Sequence, residues 1–194
     1  MSAVAMGDTM LRFRRPDGVS AETLLDALRA EAGVVDVIIT REHIGVTFHV
    51  GAVGRQGVLD RALARAASHV DGPRARPVHV VRVRYDGADL AKSASALGLA
   101  VSELVRRHEQ GVYEVLLVGF LPGFAYLGEL DPALALPRMA TPRARVPAGS
   151  VAIADRMTAV YPFASPGGWH LLGTAIDFVP FAFALGDRVR FEAQ

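Results

Sequence analysis

The chain has 194 residues, 51% hydrophobic and 21% charged, with a formal net charge of +1. High apolar content with little net charge excludes a disordered chain, and a near-neutral balance argues against a general nucleic-acid binder, which needs clustered positive charge to neutralise phosphates. With no cysteine, disulfides, thiolate metal sites and thiol nucleophiles are excluded together.

The expected elements fall into two regions joined near Asp71-Gly72-Pro73, residues 1–76 and 77–194. Thr9–Arg14 alternates apolar and polar residues and predicts a strand. Ser20 is placed as the N-cap of a helix from Ala21 to about Ala32, with Glu22 complementing the dipole and Gly33 suited to C′. Val34–Thr40 and Ile44–Val50 read as strands, and the short Arg41-Glu42-His43 link predicts a hairpin. A second helix is expected from about Gln56 to Val70. The order β-α-β-β-α implies a small sheet with helices on one face.

The second region opens with a predicted strand, Val78–Tyr85, and two short helices, Ala88–Leu97 and Val101–Gln110, separated by Gly98. Beyond Gly111, strand-like runs (Val112–Phe120, Val151–Ala154, Ala159–Tyr161, His170–Leu172, Arg188–Phe191) alternate with turns, and eight of the eleven prolines lie in 122–180. Helices do not survive that punctuation, whereas short strands joined by shaped loops do, so a barrel or sandwich is expected. The fold class is α+β. The amino-terminal residues lack a signal-peptide pattern, and no apolar run of about 18 residues is free of breakers, which predicts a cytoplasmic protein without a membrane span.

The familiar chemical motifs are missing: no Walker A, no GxGxxG after a strand, no HExxH and no GxSxG. The six histidines show no ligand spacing, so no metal is expected. The informative stretch is Gly119–Gly173. Within it, Ser165-Pro166-Gly167-Gly168-Trp169 sets two flexible N–H groups beside a hydroxyl and an indole, which suits either an anion cradle or a barrel turn with a core Trp. No acid occurs between Asp131 and Asp155, where Arg138, Arg143 and Arg145 lie, and no formal charge occurs from Met157 to Ile176. That pattern fits a pocket or subunit interface, and equally a pair of core strands beside a solvated Arg loop. Asp89 stands near a helix start and His108 in a last turn. Each position suits a cap or dipole partner, and each residue also has the chemistry of a general acid or base.

The run Gly119-Phe120-Leu121-Pro122-Gly123-Phe124-Ala125-Tyr126-Leu127-Gly128, then Pro137-Arg138, Thr141-Pro142-Arg143, Val146-Pro147-Ala148-Gly149-Ser150-Val151, Tyr161-Pro162 and Ser165-Pro166-Gly167-Gly168-Trp169 resembles a family that goes by several names: allophanate hydrolase subunit 1, KipI, and the B-type subunits of carboxyltransferase and 5-oxoprolinase. The resemblance implies a small α/β amino-terminal domain followed by a cyclophilin-like β-barrel. It also implies a partner, a second cyclophilin-like subunit of the 5-oxoprolinase C-type or allophanate hydrolase subunit 2 kind, with the cleft between the two. A third hydrolase subunit, the A-type of 5-oxoprolinase, completes a complex that opens 5-oxoproline to glutamate at the expense of ATP.

On that reading Ser150, Tyr161, Gly167, Gly168 and Trp169 line the cleft, His108 and Asp89 are its catalytic polar groups, and Arg143 and Arg145 steer an anionic substrate. Other branches imply a KipI-type inhibitor of a sensor histidine kinase, or half of a urea-carboxylase-like carboxyltransferase. The family's usual glutamine and arginine are replaced here by Met157 and Thr174.

Overall fold

In a computed structural model, residues 2–40, 42–68 and 77–194 are described. The chain divides into two compact units, Met1–Ala75 and Arg76–Gln194. The expected join at Asp71-Gly72-Pro73, the boundary at residue 76 and the expected helix end at Val70 lie outside the described residues.

The first unit contains β1 (Val4–Met6), β2 (Met10–Arg14), α1 (Ala21–Arg29), β3 (Val34–Ile39), β4 (His43–Phe48) and α2 (Arg55–Ser68). Its strands form one antiparallel sheet in the order β1-β2-β4-β3. Alternation sets the faces: Leu11 and Phe13 are buried beside exposed Arg12 and Arg14. Ser20 caps α1 as expected, its side chain accepting from the Thr23 N–H. The helix ends three residues early, capped at Ala30, so Gly33 at φ +87° turns the chain into β3 and is not C′. Thr40 closes the β3–β4 hairpin, its N–H and hydroxyl both donating to the His43 carbonyl. The sequence pattern has no counterpart to β1, whose three exposed residues form an edge beside β2.

The second unit is a closed barrel of β5 (Val78–Arg84), β6 (Val112–Val118), β7 (Ala125–Gly128), β9 (Ser150–Ala154), β10 (Met157–Val160), β12 (His170–Ile176) and β13 (Arg188–Ala193), with helices α3 (Leu90–Ala96) and α4 (Val101–Gln110). Around the ring the order is β10-β7-β6-β13-β5-β12-β9. Neighbours are antiparallel except β13 and β5, which run parallel. Val83, Tyr113, Val115, Leu127, Ile153, Leu172 and Phe191 fill the core with Leu90, Ala94 and Leu104 from the two helices. Mixed α+β architecture with a carboxy-terminal barrel agrees with the expected fold class.

All five residues of β9 are buried. Val151 and Ile153 face the barrel core, while Ala152 and Ala154 join Ala159 and Leu171 under a second layer made of Phe124, Val146, Tyr161 and Trp169. Strands buried on both faces lose the polar alternation of a one-sided sheet. This explains much of the uncharged Met157–Ile176 run: it supplies β10 and β12, and half of its residues are buried within their own unit. A two-stranded ribbon, β8 (Arg143–Val146) with β11 (Ser165–Gly167), belongs to the same unit. Ser165–Gly167 is therefore a strand, where the sequence suggested a turn.

Gly173 sits at a register shift of β12, and a Cβ there would lie 2.3 Å from the Arg84 carbonyl oxygen. Since backbone cannot yield as a side chain can, Gly173→Ala is expected to destabilise the fold by about 2 kcal/mol, read as a lowered urea midpoint with unchanged m-value.

Candidate functional site

On the outer face of the barrel the second layer leaves a cavity of about 240 Å³. Phe124 and Tyr126 reach it from the start of β7, Tyr161 from the end of β10 and Trp169 from just before β12. Phe124 is the hub: it meets Tyr126, Tyr161 and Trp169 edge to face at ring separations of 4.9, 5.2 and 5.9 Å. The alanines beneath make room for these rings. Pro166, Gly167 and Gly168 form a further wall, with Phe120, Pro142 and Arg138 at the rest of the lining.

Gly167 is required sterically, since a Cβ there would lie 2.3 Å from the Tyr161 hydroxyl. Burial raises the pKa of that hydroxyl. Burial also raises the pKa of Tyr126, while the positive charge of Arg138 acts against it. The Arg138 guanidinium lies 6.0 Å from the Trp169 ring centroid.

Of the residues expected at the cleft, Tyr161, Gly167, Gly168 and Trp169 line this one cavity, and Ser150, Asp89, His108, Arg143 and Arg145 do not. Ser150 is buried at the start of β9, its carbonyl accepting from the Tyr161 N–H. Arg145 is exposed on β8.

Asp89 occupies the N-cap position of α3, yet its side chain makes no cap hydrogen bond. Both oxygens are committed elsewhere: Oδ1 to Arg143 at 2.5 Å and Oδ2 to the Leu171 N–H at 2.8 Å. Arg143, expected to steer substrate, is thus held by a carboxylate whose side chain is only 7% exposed. The pair fastens the ribbon that carries Gly167 to the start of α3 and to β12.

His108 is fully buried in the barrel core, stacked on Phe191 at 4.6 Å. Its Nδ1 meets the Tyr85 hydroxyl at 2.8 Å and its Nε2 the Thr158 hydroxyl at 2.9 Å. Because Thr158 donates onward to the Ala152 carbonyl, its oxygen accepts from Nε2–H, and Nδ1 accepts from Tyr85. Desolvation lowers the His108 pKa to about 3. The ring is therefore neutral near pH 7, which replaces the expected cation at the helix end.

Arg138 appears in the sequence as one member of the Arg strip and in the Pro137-Arg138 piece of the family resemblance, and nothing in its spacing sets it apart from Arg143 as a cavity residue. The Phe124 and Tyr126 pair has a clearer signal, two aromatics at strand spacing. Met157 packs against the aromatic cluster, and Thr174 is exposed and donates to Asp86.

Among the described residues, no group of three or more His, Cys, Asp or Glu gathers to hold a metal, and no helix is long and apolar enough to cross a membrane. The cavity does not suit a nucleoside triphosphate. Polyphosphates need several cations or a helix N-terminus, and this lining offers aromatic rings, prolines, glycines and one guanidinium.

Residues 3–180 match the family model described as carboxyltransferase domain, subdomain C and D. The chain is 45% identical over 124 residues to the B-type subunit of 5-oxoprolinase from Escherichia coli O157:H7, covering 59% of this chain and 57% of that protein. It therefore spans little more than half the length of that curated relative. The crystal structure of TTHA0988 superposes with a TM-score of 0.77 at 38% identity, over 95% of this chain and 39% of that one. The Kluyveromyces lactis urea carboxylase shares the fold, with a TM-score of 0.70 at 13% identity over 99% of this chain and 21% of that one.

Two outcomes test this geometry. Asp89→Ala and Arg143→Ala should be non-additive, with a coupling of about 1–2 kcal/mol in a double-mutant cycle of urea stability. For His108 the unfolded chain binds the proton near its ordinary pKa of 6.5 and the folded chain only near 3. Stability is therefore lost as pH falls from about 6.5 towards 3, by up to about 1.4 kcal/mol per unit. His108→Gln should flatten part of that loss in unfolding curves recorded across the window.

Proposed function

The chain belongs to the family of carboxyltransferase domain, subdomain C and D, and on that premise we propose that it is the B-type subunit of a 5-oxoprolinase complex. The complex opens 5-oxoproline, or a related small lactam or amide, with ATP and a second barrel subunit. The identity of 45% to a B-type 5-oxoprolinase subunit carries this reading. The cavity supports it, because about 240 Å³ suits a small metabolite.

The chemistry divides accordingly. A lactam is a poor electrophile. A phosphoryl group moved from ATP to its oxygen releases ADP and exposes the carbon to water. The ring C–N bond then breaks, and a second water releases inorganic phosphate and leaves glutamate. Since this cavity offers a single guanidinium where a polyphosphate needs several cations or a helix N-terminus, we assign the nucleotide to the other subunits and substrate-binding walls to this chain.

The rim of the cavity favours a covering partner. Phe120, which lines the cavity, is more than 60% exposed, and the similarly exposed Phe181, beside Gly123, packs against the exposed Phe163 at 6.0 Å. Aromatic surface of this kind beside a binding cavity suits a protein interface. The second barrel subunit is the occupant we assign to it, and the assembly is completed by a third, hydrolase subunit.

The test is co-expression with the two partner subunits, followed by an assay for ATP-dependent glutamate release from 5-oxoproline. Turnover by the assembled complex and none by this chain alone is the expected result. Met157→Gln, which restores the amide expected from the family resemblance, should raise the rate. A well-assembled complex that releases no glutamate would sink the proposal.

A further inference from the structure

Three arginines lie between residues 138 and 145, and the fold gives them different surroundings. Arg143 is bonded to Asp89. Arg145 is exposed and away from the cavity lining. Arg138 alone of the three lines the cavity.

The main chain on both sides of Arg138 is fixed. The His170 ring N–H donates to the Pro137 carbonyl at 2.9 Å, and the Met139 N–H donates to the Gly168 carbonyl at 2.8 Å. Between these two ties the guanidinium is held 6.0 Å from the Trp169 ring centroid. Its ion pair with Asp155 is 3.6 Å long, with both side chains more than half exposed, and such a pair holds weakly. Its field reaches the floor of the cavity, where it opposes the raised pKa values of Tyr126 and Tyr161. A guanidinium has a planar fork of donors matched to a carboxylate, and an aromatic face beside it takes a flat, uncharged ring.

We infer that Arg138 is the receptor for a substrate carboxylate, with the ligand's flat ring seated in the aromatic cavity against Trp169. The ligand class is a small monocarboxylate bearing a compact, uncharged ring. This deepens the reading of the chain as a 5-oxoprolinase-type component, because 5-oxoproline has that form: a five-membered lactam with one carboxylate.

Trp169 is the single tryptophan of the chain, so its fluorescence reports on this cavity. The experiment titrates the full chain with 5-oxoproline, with 2-pyrrolidinone (the same ring without the carboxylate) and with acetate (a carboxylate without the ring), and repeats each titration by equilibrium dialysis. The unsubstituted chain should bind 5-oxoproline saturably, about tenfold or more tightly than either fragment. Arg138→Gln should abolish the preference over 2-pyrrolidinone and leave 2-pyrrolidinone binding unchanged, and Arg138→Lys should retain part of it. A urea midpoint matching that of the unsubstituted chain checks that each variant is folded.

No saturable binding of 5-oxoproline, or a preference that survives Arg138→Gln, would overturn the inference. Its failure is distinguishable from failure of the functional reading. Arg138-dependent binding without turnover by the assembled complex would leave the carboxylate site standing and remove lactam opening. Turnover indifferent to Arg138→Gln would do the reverse.

Discussion

The pairing of Asp89 with Arg143 is the contact on which the site's geometry depends. Asp89 stands where the chain enters α3, Arg143 opens β8, and the second carboxylate oxygen holds the Leu171 N–H on β12. One side chain thereby joins a helix start, a barrel strand and the ribbon lying against it. The charge is mostly shielded from water, so removing either partner strands the other in a poor environment. The consequence for the cavity is direct: Gly167 pairs with Arg143 across the ribbon, so the wall it forms is registered to the barrel through this pair.

A second constraint is volume. The aromatic layer needs a floor that is apolar and nearly flat, and the alternation of β9 and β10 provides it by sending small residues outward and larger ones inward. Ala152, Ala154 and Ala159 allow Phe124, Tyr161 and Trp169 to approach the sheet, while Val151, Ile153 and Val160 fill the barrel. The same strands therefore serve two cores. The edge-to-face ring contacts add direction to this packing, because an aromatic edge seeks a neighbouring face. A cavity made this way has a closely packed floor and sides, and its most exposed groups are those at the rim, Phe120 and Arg138.

Much of this was legible in the sequence where the signal is local. Ser20 announced α1, alternation announced β2, and the density of proline excluded α-helices beyond Gly111, where a 3-10 turn, Pro132–Leu134, forms instead. The Gly-Gly-Trp run and Tyr161 do meet at one cavity. What escaped was decided by residues far apart in the chain. Which arginine faces the cavity depends on Asp89, 54 residues before Arg143. His108 is silenced by burial under Phe191 and by hydroxyls from Tyr85 and Thr158, none of which its own neighbourhood shows. The strands β7, β8 and β11 are three or four residues long and rich in glycine, proline or charge, so they carry turn chemistry locally and gain strand geometry only from their partners.

The parallel pairing of β13 with β5 has a consequence for how the barrel is made. The first barrel strand to leave the ribosome has as its neighbour Arg188–Ala193, and that strand also bridges to β6. Until it has been synthesised, the ring has a gap between β5 and β6. Closure is thus tied to the synthesis of β13, and it must bring together segments of very large sequence separation, which slows it. During that interval the apolar strands between them have open edges, and a nascent chain in that condition is prone to pair with the wrong neighbour. β13 acts as the latch of the barrel, and the timing of its arrival sets how long the unfinished sheet must be kept from association.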